Sequence, residues 1–308
     1  MTLLHAPLSC DVTDAYRGTF AVMGNFDGVH RGHQALITGA KKTADQAGKP
    51  LSAVVFEPHP RRFFRPDDAP FLLSPLQAKA ELLRRFGVDT VFALPFGDEL
   101  RGQTPETFVR KILHQVLGLS GVATGQDFQF GAGRSGSSET LAAIAGTLGM
   151  SYQAIAPIGD SDEKFSSSQA RQALRQGDVT RAAEVLGYPW FVDGEVGEGR
   201  KLARSLGFPT ANVTLGDVLR PLYGVYAVTA EVEGETYGGV ANIGVRPTVD
   251  GKEERLEVHL FDFNGDLYGK AMRTSFVGFI REERAMDGLD ALKAQITKDS
   301  DEARRLLG

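Results

Sequence analysis

Two histidines set three residues apart, His30 and His33, stand in the segment GNFDGVHRGHQ. Side chains at that spacing share one face of a helical turn. If the segment opens a helix, its N-terminal amides and the paired imidazoles surround one anion, and phosphate or polyphosphate is the natural ligand. Gly24 and Gly28 let backbone approach such a ligand closely. A bare HxxH pair also reads as surface or capping histidines in a tight turn. The order strand, glycine turn, HxGH and helix favours the phosphate chemistry.

A second constellation lies far downstream, in GEGRKLARSLGFPTANV. The hydroxyl of Thr210 and the amide oxygen of Asn212 are hard ligands, suited to a Mg²⁺ ion whose shell phosphate oxygens complete. Gly207, Pro209 and Asn212 are also turn formers, and residue chemistry alone leans towards a plain turn. Glu257 falls in a predicted strand. Its residue type does not choose between a solvent-facing glutamate and a rigidly held carboxylate.

Positioning these groups requires two halves of different texture. From Gly18 to about Leu186, apolar runs at Thr19–Met23, Leu51–Phe56, Val88–Leu94, Gly121–Thr124 and Tyr152–Pro157 alternate with helical patterns. Ser74-Pro75 and Thr104-Pro105 each offer an N-cap followed by proline at the first helical position. Strand–helix alternation predicts a parallel sheet with ligands at the carboxyl ends of its strands. After Gly187 the runs Val225–Glu231, Thr236–Val240, Leu256–Phe261 and Ala271–Val277 are joined by glycine-rich turns, and one helix follows from Asp287 onward. Such spacing predicts an antiparallel barrel.

The chain of 308 residues accommodates two domains of ordinary size. With 42% hydrophobic and 24% charged residues it has a soluble globular composition. No run approaches the roughly 18 apolar residues of a membrane span, and MTLLHAPLSC lacks the pattern of a secretory signal. Cys10 is the only cysteine, which excludes an internal disulfide or a thiolate metal cage and fits a reducing cytoplasm. It lies in an unpatterned segment and is not expected to be a nucleophile. A net charge of −5 argues against broad nucleic-acid binding. The pair Arg84-Arg85 reads as solvated helix surface, whereas Arg61-Arg62 stays open as an anion contact.

In this setting GNFDGVHRGHQ resembles the strand–helix junction of the nucleotidyltransferase superfamily, and within it the bacterial bifunctional riboflavin kinase/FAD synthetase family. FEPHP (Phe56–Pro60), GQDFQFG (Gly125–Gly131) and SSSQAR (Ser166–Arg171) are similar to that family's motifs, in the same order. So are GFPTAN, NIGVRPT (Asn242–Thr248) and EVHLFDF (Glu257–Phe263), and the likeness runs from about Gly18 to Lys298. It implies an α/β plus β architecture. Residues 1–186 would form a Rossmann-like nucleotidyltransferase domain with a parallel sheet, and residues 187–308 a small antiparallel β-barrel riboflavin kinase domain with a terminal helix.

The resemblance also implies roles. Gly24, Asp27, His30, His33, Ser167, Ser168 and Arg171 would hold the ATP phosphates for adenylyl transfer, while Phe56, Pro58, His59 and Asp127 would line the FMN and nucleotide site. In the barrel, Gly199, Thr210 and Asn212 would bind Mg-ATP, Glu257 would be the catalytic base and Arg281 would contact flavin. Four positions depart from the pattern: Ser168 replaces a threonine, Ala170 an isoleucine, Ala132 a basic residue and Met286 a phenylalanine. Ser168 keeps the hydroxyl. The others remove packing volume, a phosphate contact and part of the cover over flavin.

The implied partners are riboflavin, FMN, ATP and Mg²⁺, with FAD as product, in the cytoplasm and without nucleic acid or membrane; self-association is left open. The two steps ask for different machinery. The phosphate of FMN has a second pKa of about 6 and is already a nucleophilic dianion, so adenylyl transfer needs positioning and charge stabilisation rather than a base. Riboflavin offers an un-ionised alcohol, which calls for a general base such as Glu257. Rival readings are an adenylyltransferase with a degenerate second domain and a non-catalytic flavin- or ATP-binding regulator. The presence of GFPTAN, Glu257, His30 and His33 speaks against both. A tRNA-charging role is disfavoured by the acidic balance and by SSSQAR in place of a lysine-rich loop.

Overall fold

Short apolar runs need neighbours on both faces, and here they find them in one parallel sheet. The computed structural model describes residues 2–160, 163–197, 208–248, 251–284 and 286–308. These pack as two compact units, Met1–Ala69 with Pro75–Ser166, and Pro70–Ser74 with Ser167–Gly308.

The first unit is built on β1 (Thr2–His5), β2 (Phe20–Met23), β3 (Leu51–Glu57), β4 (Thr90–Pro95), β5 (Gly121–Gly125) and β6 (Ser151–Ile155). They lie in the order β1-β4-β3-β2-β5-β6, every neighbouring pair parallel. The direction of progression reverses between β2 and β5, and a crevice opens outside the carboxyl ends of strands at such a switch point. The strand β1 was not expected: at four residues, next to a patternless stretch, it carries too little alternation to be seen. It adds to the free edge of β4. A hairpin of β7 (Gly159–Asp160) and β8 (Glu163–Lys164) follows.

Helices α1 (Arg31–Gln46), α2 (Pro60–Phe64), α3 (Leu76–Arg85), α4 (Asp98–Arg101), α5 (Pro105–Thr107) and α6 (Ser138–Thr147) complete this unit. Thr104 caps α5 as its sequence suggests, its hydroxyl accepting from the amide of Thr107 at 3.1 Å. The chain then runs into a π-helical stretch, Phe108–Val116, closed by the amide of Leu117 on the carbonyl of Ile112. A wider turn brings the four-residue spacing of Phe108, Ile112 and Val116 onto one buried face. At α3 the cap differs from expectation. Pro75 itself is the cap residue, at φ −58° and ψ 165°, where Ser74 was expected. Arg84 and Arg85 are exposed as read, with Arg85 paired to Glu81 at 2.9 Å.

The second unit contains α7 (Ser167–Arg175), α8 (Val179–Leu186) and a closed barrel. Its strands are β9 (Phe191–Gly197), β10 (Ala211–Val213), β11 (Gly224–Val232), β12 (Glu235–Thr248), β13 (Gly251–Leu260) and β14 (Ala271–Glu282), ordered β10-β13-β12-β11-β14-β9. All pairings are antiparallel. Tyr226, Phe276 and Trp190 are fully enclosed and fill the interior, Phe276 lying 5.1 Å from each of the other two rings, tilted against Trp190 and edge-on to Tyr226. The opposite parity on the strands, Val225, Ala227 and Val240 with Phe261, packs against Ala303 of a C-terminal helix, Leu289–Leu307.

Candidate active sites

The turn after β2 is wound tightly. Phe26, Gly28 and Val29 all have positive φ (48°, 75° and 34°), the last uncommon for a β-branched residue. Burial holds it: Phe26, Asp27 and Val29 are at most 1% exposed. The turn delivers His30 to the N-cap of α1 and His33 to its first turn. Their rings stack with centroids 3.7 Å apart, and Phe26 meets His33 edge-on at 5.0 Å. The glycine between them leaves little room for a side chain. A Cβ on Gly32 would come within 3.1 Å of the His30 ring and of the Phe165 carbonyl. Phe165 leads directly into SSSQAR, and the Arg31 guanidinium lies over its ring at 5.5 Å. Gly24 has ordinary room for a Cβ, so the fold itself does not demand a glycine there.

Burial, and then the neighbouring His30 and Lys79, hold His33 well below the ordinary histidine pKa. Its Nδ1 is buried without a hydrogen-bond partner. Two stacked imidazolium rings would repel at this distance, so the pair carries at most one charge.

Phe56, next to the last residue of β3, makes aromatic contacts with Phe96 and Phe108. Pro58 follows a cis peptide and is exposed. His59 caps α2, its Nδ1 accepting from the Arg61 amide at 3.1 Å. Arg61 is chelated by Asp68 and Arg62 binds the carbonyls of Pro66 and Asp68, so both arginines serve the local turn. Asp127 is exposed after β5, 3.5 Å from the Lys164 ammonium. Ser167 and Ser168 open α7. Arg171, on the same helix, donates to the Phe71 carbonyl at 2.9 Å and stands over the Phe71 ring.

In the barrel the second site is a matter of register. Asn212 pairs with Glu257, Glu257 with Asn242, Asn242 with Val225, and Val225 with Arg281. Residues directly opposite on neighbouring strands point to one face. One rung therefore carries Asn212, Glu257, Asn242 and Arg281 on the outer side, where the C-terminal helix packs. Thr210 is two residues before Asn212, and Glu257 is half-buried. His259, two residues on from Glu257, donates from Nδ1 to the Pro209 carbonyl at 2.9 Å and meets the Phe208 ring at 5.4 Å. A carbonyl can only accept, so this bond fixes the tautomer and the start of the PTAN segment together. Arg281 grips Asp299 of the C-terminal helix at 2.7–3.1 Å, and Gln295 also donates to Asp299. Gly199 lies outside the described residues.

Two family models divide the chain: FAD synthetase over residues 12–169 and riboflavin kinase over residues 186–307. A bifunctional riboflavin kinase/FMN adenylyltransferase of Pseudomonas fluorescens is 43% identical over 94% of each chain. Enzymes of the same name from Escherichia coli K12 and Bacillus subtilis are 39% and 38% identical, covering more than 90% of this chain. The chain belongs to the bifunctional riboflavin kinase/FMN adenylyltransferase family. A crystal structure described as a macrolide-efflux protein from Streptococcus pneumoniae matches 98% of each chain at a TM-score of 0.87 and 29% identity. Among the described residues no helix is long and apolar enough to cross a membrane.

The structure places the family's departures in context. Ala170 is fully buried on α7, where α8 packs closely and a small side chain fits. Ala132 sits in a short turn after Gly131, and Met286 is half-buried before the C-terminal helix. A divalent cation suits the barrel rung on one observation: Asn212 Oδ1 is buried with no hydrogen-bond partner, an acceptor awaiting a donor or a cation. No cluster of three or more His, Cys, Asp or Glu is found among the described residues. A hard ion held by few protein oxygens plus phosphate therefore fits better than a protein-only cage. Sequence reading missed Asn242, His259 and Lys79. Asn242 donates to Glu283 at 3.0 Å. Lys79 could have been noticed as a lysine on the apolar face of α3, three residues from Leu76 and four from Leu83.

Proposed function

We infer that this chain makes FAD in two ATP-dependent steps, phosphorylating riboflavin to FMN and adenylylating FMN with release of pyrophosphate. The observation that carries the reading is the match of one family model to each half of the chain, with both sets of motif residues present. Functionally, residues 1–186 serve adenylyl transfer and 187–308 serve the kinase step.

In the kinase step Glu257 accepts the proton of the riboflavin 5′-hydroxyl as its oxygen attacks the γ-phosphorus of ATP and the bond to ADP breaks. Register holds the carboxylate beside Asn212. Thr210, Asn212 and Gly199 bind Mg-ATP, and the ion, when bound, supplies charge stabilisation to the phosphates. His259 keeps Thr210 and Asn212 in place through the Pro209 carbonyl. Arg281 contacts flavin while anchored to Asp299.

In the adenylyl step an FMN phosphate oxygen attacks the α-phosphorus and the bond to pyrophosphate breaks. No base is needed. His30, His33 and the α1 amides, together with Gly24, Asp27, Ser167, Ser168 and Arg171, orient the triphosphate and take up developing charge. Phe56, Pro58, His59 and Asp127 border the flavin and nucleotide. The reading places the enzyme in the cytoplasm, consistent with its single exposed thiol, Cys10.

The test is incubation of the protein with riboflavin, ATP and Mg²⁺, followed by chromatography. FMN and then FAD are expected. Accumulation of FMN alone removes the adenylyltransferase assignment, and absence of FMN removes the kinase.

A further inference from the structure

Lys79 is 1% exposed, one of the most enclosed large side chains in the protein, and it lies on α3 among buried Ala78, Ala80, Leu82 and Leu83. Lysine is almost never fully buried unless its charge is answered. Removing it from water costs several kcal/mol by general estimate, and an apolar residue of its volume is often as good for the fold. A purely structural explanation therefore leaves the charge unused.

Its surroundings are specific. α3 packs against the turn Asp27–Val29 that feeds His30 and His33. Asp27, itself 1% exposed, and Glu57 at the end of β3 favour the ammonium, while burial opposes it more strongly. The charge of Lys79 acts on His33, as does the neighbouring His30. β2, β4 and β5 bring no ionisable side chain to this region, and Tyr152 of β6 is bonded to Thr124. On α3, Glu81, Arg84 and Arg85 occupy the solvent side. Four groups on three other elements thus bear on one buried cation: Asp27, Glu57, His33 and, through the ring stack, His30.

We propose that Lys79 is a positioning residue of the adenylyl-transfer site, an internal cation that secures the Asp27 turn and limits the charge the stacked histidines carry. This rests on assigning the His30–His33 site to adenylyl transfer. A charged His33 would need acceptors for both ring N–H groups, yet its buried Nδ1 has none. With the buried ammonium in the same region, the ring stays an uncharged donor, and the incoming nucleotide meets two aligned rings rather than a repelling pair.

The test compares Lys79→Met and Lys79→Arg with the unsubstituted full-length enzyme, following FMN adenylylation and riboflavin phosphorylation across pH. Lys79→Met is expected to lower adenylylation about tenfold or more and to move its acid limb up by roughly one pH unit, since removing a nearby cation lets His33 protonate more readily. Lys79→Arg should return the limb to its original place, and the kinase rate should stay within about twofold in both. An adenylylation profile in Lys79→Met that superimposes on the parent's, whatever the rate, overturns the proposal. If the Met variant does not fold, Lys79→Gln and the His33 ring resonance of the unsubstituted protein decide. A ring that protonates at the ordinary histidine midpoint near about 6.5 also overturns it. Failure of the unsubstituted enzyme to convert FMN and ATP into FAD would instead remove the underlying assignment.

Discussion

The two proposed ATP sites are built by opposite strategies. The first takes its histidine pair from one short stretch of chain, where a strained turn and a helix start set His30 and His33 three residues apart. The second collects Asn212, Asn242, Glu257 and Arg281 from four strands through pairing register. The difference follows the chemistry. A dianionic nucleophile needs donors and dipoles, which a helix N-terminus supplies locally. An alcohol needs a base placed to within a fraction of an ångström, and a barrel rung holds one more rigidly than a loop.

The strongest way to break this comparison is to remove the base. Glu257→Gln should lower riboflavin phosphorylation by about 10²- to 10⁴-fold while leaving FAD formation from supplied FMN unchanged. Loss of both in folded protein would mean the steps share machinery. Next in size, His33→Ala should lower adenylylation by about 10²- to 10³-fold, the usual cost of one transition-state donor, and spare the kinase.

The pH profile sharpens the contrast. The pKa of His33 in the folded protein is lowered, chiefly by burial, from an unfolded value near about 6.5. Its contribution to stability is therefore present above about pH 6.5 and lost as pH falls through the lower folded value. Adenylylation, which uses the uncharged ring, should persist below about pH 6.5; an acid limb at or above that pH would contradict the burial argument. The smallest effect concerns the barrel. His259→Phe keeps the ring but not the bond to Pro209, and should raise the kinase KM for Mg-ATP about three- to tenfold with little change in kcat. An unchanged KM would show that strand pairing alone positions Asn212.

The same contrast explains what could be read in advance. The α/β half announces itself through strand–helix alternation and a contiguous motif, so its sheet and its histidine pair were legible. The barrel's longer strands were legible too, but β9 and β10 were not. β10 is three residues long and its approach, Gly207 to Pro209, looks like a turn, so Asn212 reads as a turn former until it is paired with Glu257. Arg281 gives no hint of Asp299, because that ion pair depends on where a helix lands on the barrel. Lys79 sits at apolar-face spacing on α3, but its burial shows only once the turn packed against that helix is in place.

Mixing two inactive halves tests the division of labour most directly. Glu257→Gln enzyme given riboflavin, ATP and Mg²⁺ should yield neither FMN nor FAD, and His33→Ala enzyme should stop at FMN. Combined in one tube, they should convert riboflavin to FAD, the FMN made by one being adenylylated by the other. No FAD from the mixture, with each protein folded and each retaining its untouched step on its own substrate, would contradict two separable sites joined by a shared flavin.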